Sequence, residues 1–310
     1  MDKKLTNIAL SLVAVLAILL LLVYGLGSVN ERFQAGENVA LRFVFVIVGL
    51  LIAFLIYYFT RDNEAWEVGT RQVVWMAIGA ALYAVFSWLF NGTVFVVPSI
   101  SQVALRPAIA IPMFFGYAFG PVVGFFTGAI GNTFGDALTG FGLFPQWSIG
   151  NGLVGFISGL PFLFRDKKRS LDTVLWTGGV LAVLAAVLYF LNPTQPNTLF
   201  FDPANNVFGD ATITLFAGIS ILVGFVLVLI VRFAFGQNLD IAAAVTWGML
   251  GNIIGIGFAA ISDIWINGYS PVAAIVGEFL PAAGPNLIFA AILVPLLVVA
   301  YSSVQRQSGR

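Results

Sequence analysis

The chain contains no cysteine and no histidine, and only 9% of its 310 residues are charged. Without cysteine there is no disulfide, no thiol nucleophile and no thiolate metal site. Without histidine the commonest general base and commonest metal ligand are missing, and a Ser-His-Asp hydrolase is excluded. The shortage of charge excludes more. Soluble domains carry roughly 25% charged residues, and 14 basic and 14 acidic side chains cannot clothe a water-facing surface at this length. The charges cancel to zero, so nothing points to a nucleic-acid partner. What is abundant is apolar: 60% of the residues are hydrophobic, with 33 glycines and 30 phenylalanines. That excludes disorder and leaves an all-α polytopic membrane protein.

A membrane helix needs about 20 apolar residues to cross a hydrocarbon core about 30 Å thick. Candidate spans run from about Asn7 to Gly27, Ala40 to Thr60 and Arg71 to Phe90. The first is too long for a signal-peptide core and has no clean cleavage site, so it reads as a retained span. The segment from Ser101 to Gly140 is too long for one helix and is expected to break at Gly120-Pro121, giving two short spans. Further spans follow at about Gln146–Phe164, Leu171–Leu191, Phe208–Phe235, Ile241–Ile266 and Phe279–Tyr301. A polar loop from Asn192 to Asn206 separates the seventh from the eighth. The total is about ten.

Basic residues orient the chain, since cytoplasmic loops carry an excess of Lys and Arg. With the N-terminus inside and strict alternation, eleven basic residues fall on the cytoplasmic side, among them the run Arg165, Lys167, Lys168 and Arg169. Only Arg32, Arg42 and Arg106 fall outside. Both termini are therefore expected in the cytoplasm.

Asp136, Asp210, Asp263 and Glu278 lie at or inside span ends, with Arg106 as the basic counterpart. Ionisable groups in a membrane raise a functional hypothesis, although each taken singly could be solvated at the interface. Arg106, Asp136, Trp147, Asn151, Asp263, Glu278 and Asn286 all map to the outer level, and these are the candidate substrate-binding residues. Trp88, Trp147, Trp265 and Tyr269 fit either an interfacial aromatic belt or a wall that stacks a flat ligand.

Small residues recur at four-residue spacing: Ala77/Ala81, Ala80/Ala84, Gly124/Gly128, Gly131/Gly135, Gly155/Gly159 and Gly251/Gly255. This spacing lets helices approach closely in lipid, and its plain reading is packing within the chain. No lysine follows a glycine, so there is no P-loop for ATP phosphates. Gly131 to Asp136 is no dinucleotide fingerprint, because no strand precedes it.

Several blocks in order resemble one family. They are Ala77-Ile78-Gly79-Ala80-Ala81-Leu82-Tyr83, Leu105 to Pro112 with Arg106-Pro107, Phe119-Gly120-Pro121 to Gly124, Gly131-Asn132 with Gly135-Asp136, and Trp147 to Gly155 with Asn151. Together they are similar to the S component, the substrate-binding membrane subunit, of energy-coupling factor (ECF) vitamin transporters. The resemblance is best over Arg71 to Phe164 and resumes from Ala242 with Asp263-Ile264-Trp265 and a last span holding Pro281, Pro285 and Pro295.

The resemblance implies a six-helix core with two additions. Residues 1–70 form an N-terminal helix pair, 71–165 core helices one to four, 166–240 an inserted helix pair, and 241–310 core helices five and six. It implies that a vitamin-like metabolite binds in the outer half of the core, beneath the loop from Asn91 to Gln102. It also implies a multi-pass protein of a prokaryotic cytoplasmic membrane with no enzyme activity and no cofactor of its own. A transmembrane coupling protein and two ATPase subunits would supply the energy from ATP. Ala77, Ala81 and Ala84 match the family's contact with the coupling protein. A self-sufficient transporter using Asp136, Asp263 or Glu278 as an ion site, and a purely structural subunit, remain open beside this reading.

Overall fold

A computed structural model describes residues 3–63, 66–91, 96–97, 99–100, 103–164, 167–197, 201–202, 207–208 and 212–307. Arg165, Asp166, Asp210, Arg310 and most of the stretch 92–102 lie outside the described residues.

The fold is all-α. Ten α-helices follow one another: α1 (Lys3–Leu20, continued by tight and wide turns to Ser28), α2 (Val39–Thr60), α3 (Thr70–Asn91), α4 (Ala110–Phe119), α5 (Pro121–Thr139), α6 (Pro145–Ser158), α7 (Lys167–Leu191), α8 (Leu215–Ala234), α9 (Leu239–Ile266) and α10 (Leu280–Gln307). Among the described residues, seven are long and apolar enough to cross a membrane; α4, α5 and α6 are not among them, so ten full crossings is an approximate count.

Two expected helix starts are corrected. The segment from Ser101 does not enter a helix at once: Val103–Ala104 (β2) pairs antiparallel with Val96–Val97 (β1), and helical turns begin only at Pro107. The span placed from Phe208 begins at Leu215, because Val207–Phe208 (β4) pairs with Phe201–Asp202 (β3). In both cases the pairs include β-branched or aromatic residues, which favour extended pairing, where mean hydropathy alone extends the helix.

The break at Gly120-Pro121 is where the sequence places it. Gly120 has φ 105° and ψ 161°, a region open to glycine, and Pro121 begins α5 with a preset φ. With ten residues α4 rises only about 15 Å. Arg106 stands just ahead of it, before the helical turn Pro107–Ile109.

The helices α4, α5, α6 and α9 form the buried centre, with α3 along α5 and α10 along α8 and α9. Every residue of α6 except Trp147 is buried. Glycine makes this possible. A Cβ on Gly155 would strike the backbone of Gly124, and one on Gly255 the carbonyl of Gly150. The α5–α6 and α6–α9 backbones therefore touch. In lipid no hydrophobic effect drives helices together, so such close contact supplies the packing. Around this centre, α1, α2, α3, α7 and α8 expose large aliphatic side chains on their outer faces, as lipid contact requires.

Candidate functional site

The start of α2, the end of α3, the α5–α6 connection and the end of α9 come together at one end of the helices. At that end the centre encloses a cavity of about 390 Å³. Arg106, Asp136, Trp147, Asn151, Asp263, Glu278 and Asn286 all line it. The structure thus brings every candidate binding residue to one place.

One wall is built on α5. The Arg106 guanidinium donates through Nη2 to Asp136 Oδ1 at 2.8 Å, through Nη1 to Asn132 Oδ1, and through Nε to Asn91 Oδ1 at 3.2 Å. Asn132 Nδ2 donates to the second carboxylate oxygen of Asp136 at 2.8 Å. Asn132 and Asp136 are one helical turn apart, so both project from the same face. The network is fully connected, which is the condition under which buried charges are tolerated. Below it the Tyr83 hydroxyl donates to Asn151 Oδ1 at 2.7 Å. Gly131 lets that ring lie close, since a Cβ there would fall 2.8 Å from the Tyr83 Cβ.

The opposite wall comes from the ends of α6, α9 and α10. Gln146 Nε2 donates to Asp263 Oδ1 at 3.0 Å, and the Trp147 indole donates to Asp263 Oδ2 at 2.7 Å. Glu278, fully buried, lines the cavity beside Asp263. It sits in a wide helical turn, Ala273–Phe279, directly before α10. Pro281 explains part of that distortion. It has no N–H to offer the Gly277 carbonyl four residues back, and that carbonyl instead accepts from Ile100 N at 3.0 Å. The proline thus ties the strand region after α3 onto this wall. Such wide turns recur at functional sites. In the loop after α9, burial pushes the Tyr269 phenol up to about 12, so it stays a hydroxyl donor at neutral pH.

The aromatic residues divide. Trp147 and Tyr269 line the cavity. Trp88 and Trp265 are 48% and 60% exposed and face outward, as belt residues do. The alanines divide as well. Ala77 and Ala81 are exposed on the outer face of α3, and Ala77 lines a groove of about 1180 Å³ between α3 and α1. Ala84 is turned inward and buried, off the exposed face on which the family resemblance grouped it with Ala77 and Ala81.

The cavity also holds residues that the sequence did not nominate. Asn132 completes the Arg106 network, and Phe141 and Phe144 add apolar wall. Arg42 of α2, 3% exposed, enters from the N-terminal pair. It is the one charged residue of the otherwise apolar α2, but its place near the helix start gave no sign of the cavity.

A sequence model described as "ECF-type riboflavin transporter, S component" matches residues 67–234, more than half of the chain. A UPF0397 protein of Vibrio atlanticus is 32% identical over 173 residues, 54% of this chain and 92% of that protein. One of Aliivibrio salmonicida is 32% identical over 170 residues, 52% of this chain and 87% of that protein. One of Aliivibrio fischeri is 35% identical over 105 residues, 34% and 55% of the respective chains. No solved structure matches. The matched stretch runs from α3 through α8, while the cavity takes its far wall from α2, α9 and α10, and no cavity residue comes from α7 or α8.

Proposed function

The chain belongs to the ECF-type riboflavin transporter S-component family, the substrate-binding subunits of such transporters, and from this premise we propose that it captures a vitamin or related small metabolite in the cavity between α5, α6, α9 and α10. The observation that carries the proposal is the cavity itself. Its volume falls in the range of small-molecule sites, its walls are mostly apolar and aromatic, and a few convergent polar groups are already oriented. A flat heterocycle fits beside Trp147 and Phe144, with riboflavin the first compound to test.

Energy comes from partners in this reading, since the chain has no P-loop. The partners are a transmembrane coupling protein and two ATPase subunits. The exposed Ala77–Ala81 face of α3 is the docking surface for the coupling protein. The cavity opens outward, and both termini lie in the cytoplasm of a prokaryotic cell. Residues 71–165 and 241–310 make the six-helix core. This division is supported by the packing of α9 on α6 and by the absence of α7 and α8 from the cavity.

The test is binding of riboflavin to the purified protein, followed by flavin fluorescence, and native mass spectrometry for co-purifying metabolites. Saturable one-to-one binding is expected. A cavity that takes up neither riboflavin nor any metabolite would refute the reading. An Ala81→Trp variant should bind normally but lose ATP-dependent uptake. Uptake at the normal rate would remove the docking assignment. The adjacent carboxyl groups of Asp263 and Glu278 favour one second reading, an ion- or proton-coupled carrier. That reading requires uptake by the protein alone, driven by pH or sodium and indifferent to ATP.

A further inference from the structure

We propose that Arg42 is a ligand-binding residue, donating from Nη1 to an uncharged acceptor oxygen, such as a heterocycle carbonyl, and that the N-terminal helix pair is thereby part of the specificity apparatus. The proposal rests on the cavity being the substrate site and goes beyond it. Arg42 lies outside the stretch that matches the family, on a helix the six-helix core does not need.

The arginine is held on three sides. Its Nε donates to the Glu37 carbonyl at 2.8 Å, its Nη2 donates to Asn267 Oδ1 at 3.2 Å, and its guanidinium carbon sits 5.3 Å from the centre of the Phe144 ring. These contacts fix the plane of the fork. Nη1 is left buried, with no hydrogen-bond partner, on a side chain that lines the cavity. A buried donor without an acceptor is costly and rare in native proteins. A bound ligand supplies the missing acceptor.

The surrounding backbone is built to keep it there. Asn38, in a left-handed conformation at φ 56°, donates from Nδ2 to the Ile266 carbonyl at 2.8 Å, joining the start of α2 to the end of α9. Leu143 N donates to the Gln34 carbonyl at 2.8 Å, joining the α1–α2 connection to the α5–α6 connection. The N-terminal pair is therefore part of the cavity rim.

The ligand class follows from the charges nearby. Asp263 and Glu278 line the same cavity as Arg42, together with the Tyr269 phenol. Two acidic side chains beside one arginine disfavour an anionic ligand group, so an uncharged acceptor suits Nη1. Asp263 is not that acceptor in this structure: it accepts from Gln146 and Trp147, and Arg42 Nη1 has no hydrogen-bond partner.

The experiment measures riboflavin binding to the full-length wild type, Arg42→Gln and Arg42→Lys, together with the melting temperature of each without ligand. Arg42→Lys keeps the positive charge among the acids and removes the planar fork, while Arg42→Gln removes the charge, so one folded variant of the two is enough for the test. The expected result is at least tenfold weaker binding in Arg42→Lys, with its unliganded melting temperature near that of the wild type. Wild-type affinity in a folded Arg42 variant overturns this proposal alone. A wild type that does not bind riboflavin overturns the carbonyl-bearing ligand, and the site reading falls with it if no other metabolite binds.

Discussion

The two walls of the cavity are built on different terms. On the α5 wall the charged groups answer one another: each nitrogen of the Arg106 guanidinium has an acceptor, and each oxygen of Asp136 has a donor. On the wall made by α2, α6 and α9, valences stay open, with Arg42 Nη1 and Gln146 Oε1 both buried without a partner. The first arrangement is complete before any ligand arrives and behaves as scaffold. The second is complete only with something else present. A buried network that is fully satisfied rigidifies a site, whereas a partly satisfied one marks where a further partner belongs.

The sharpest way to break this contrast is to remove Asp136. In Asp136→Leu the Arg106 guanidinium stays buried with its counter-charge gone, which costs about 3–5 kcal/mol. We expect a large drop in thermal unfolding temperature in detergent, largely restored by adding Arg106→Met. A stable Asp136→Leu protein that has lost only affinity would move Asp136 from scaffold to ligand contact. Next in size is the glycine contact beneath both walls. Gly150→Ala forces a methyl group toward the Gly255 carbonyl, 2.6 Å away, and overpacking of this kind costs about 1–3 kcal/mol. Unfolding temperature is again the readout. A neutral result would mean that α6 and α9 can separate without loss.

The open wall should respond in binding more than in stability. Asp263→Asn keeps the side-chain shape but offers one acceptor where the Gln146 amide and the Trp147 indole need two. One buried hydrogen bond to a charged group is worth about 1.5–3 kcal/mol, so riboflavin affinity should fall about tenfold or more. A melting shift as large as that of Asp136→Leu, with affinity intact, would erase the difference between the walls.

Much of this was legible in the sequence because membranes impose simple rules. Helix count, the Gly120-Pro121 break and the level of Arg106, Asp136, Asp263 and Glu278 follow from span length and alternation. Two kinds of feature were not legible. Val103–Ala104 and Phe208 adjoin apolar runs and read as part of the spans that follow, and only pairing with a second strand sets them apart. Arg42 looked like an ordinary charge near a helix start, because its role depends on how α2 is joined to α9 through Asn38 and Ile266, residues 228 apart in the chain. Ala84 shows the converse, since the resemblance grouped it with Ala77 and Ala81 against its own spacing. Four-residue spacing puts it with Ala80 on one helix stripe, but that stripe faces α5 and only Ala77 and Ala81 face outward.

The smallest effect sharpens the contrast most finely. Tyr83 belongs to neither wall. It stands on α3 beneath the scaffold, and its hydroxyl donates to Asn151, whose own Nδ2 donates to the Trp147 carbonyl at 2.9 Å. It thus links the satisfied wall to the helix that carries Trp147. Tyr83→Phe keeps the ring against Gly131 and removes one hydrogen bond, worth about 1 kcal/mol. Asn151 then keeps its bond to the α6 backbone but loses the anchor that fixes its carbonyl group. If Asn151 is part of the scaffold, the loss appears in unfolding temperature and riboflavin affinity changes less than twofold. If Asn151 reaches the ligand, affinity falls about fivefold while unfolding temperature hardly moves, and the open wall then extends one helical turn further down α6 than the unpartnered atoms alone mark out.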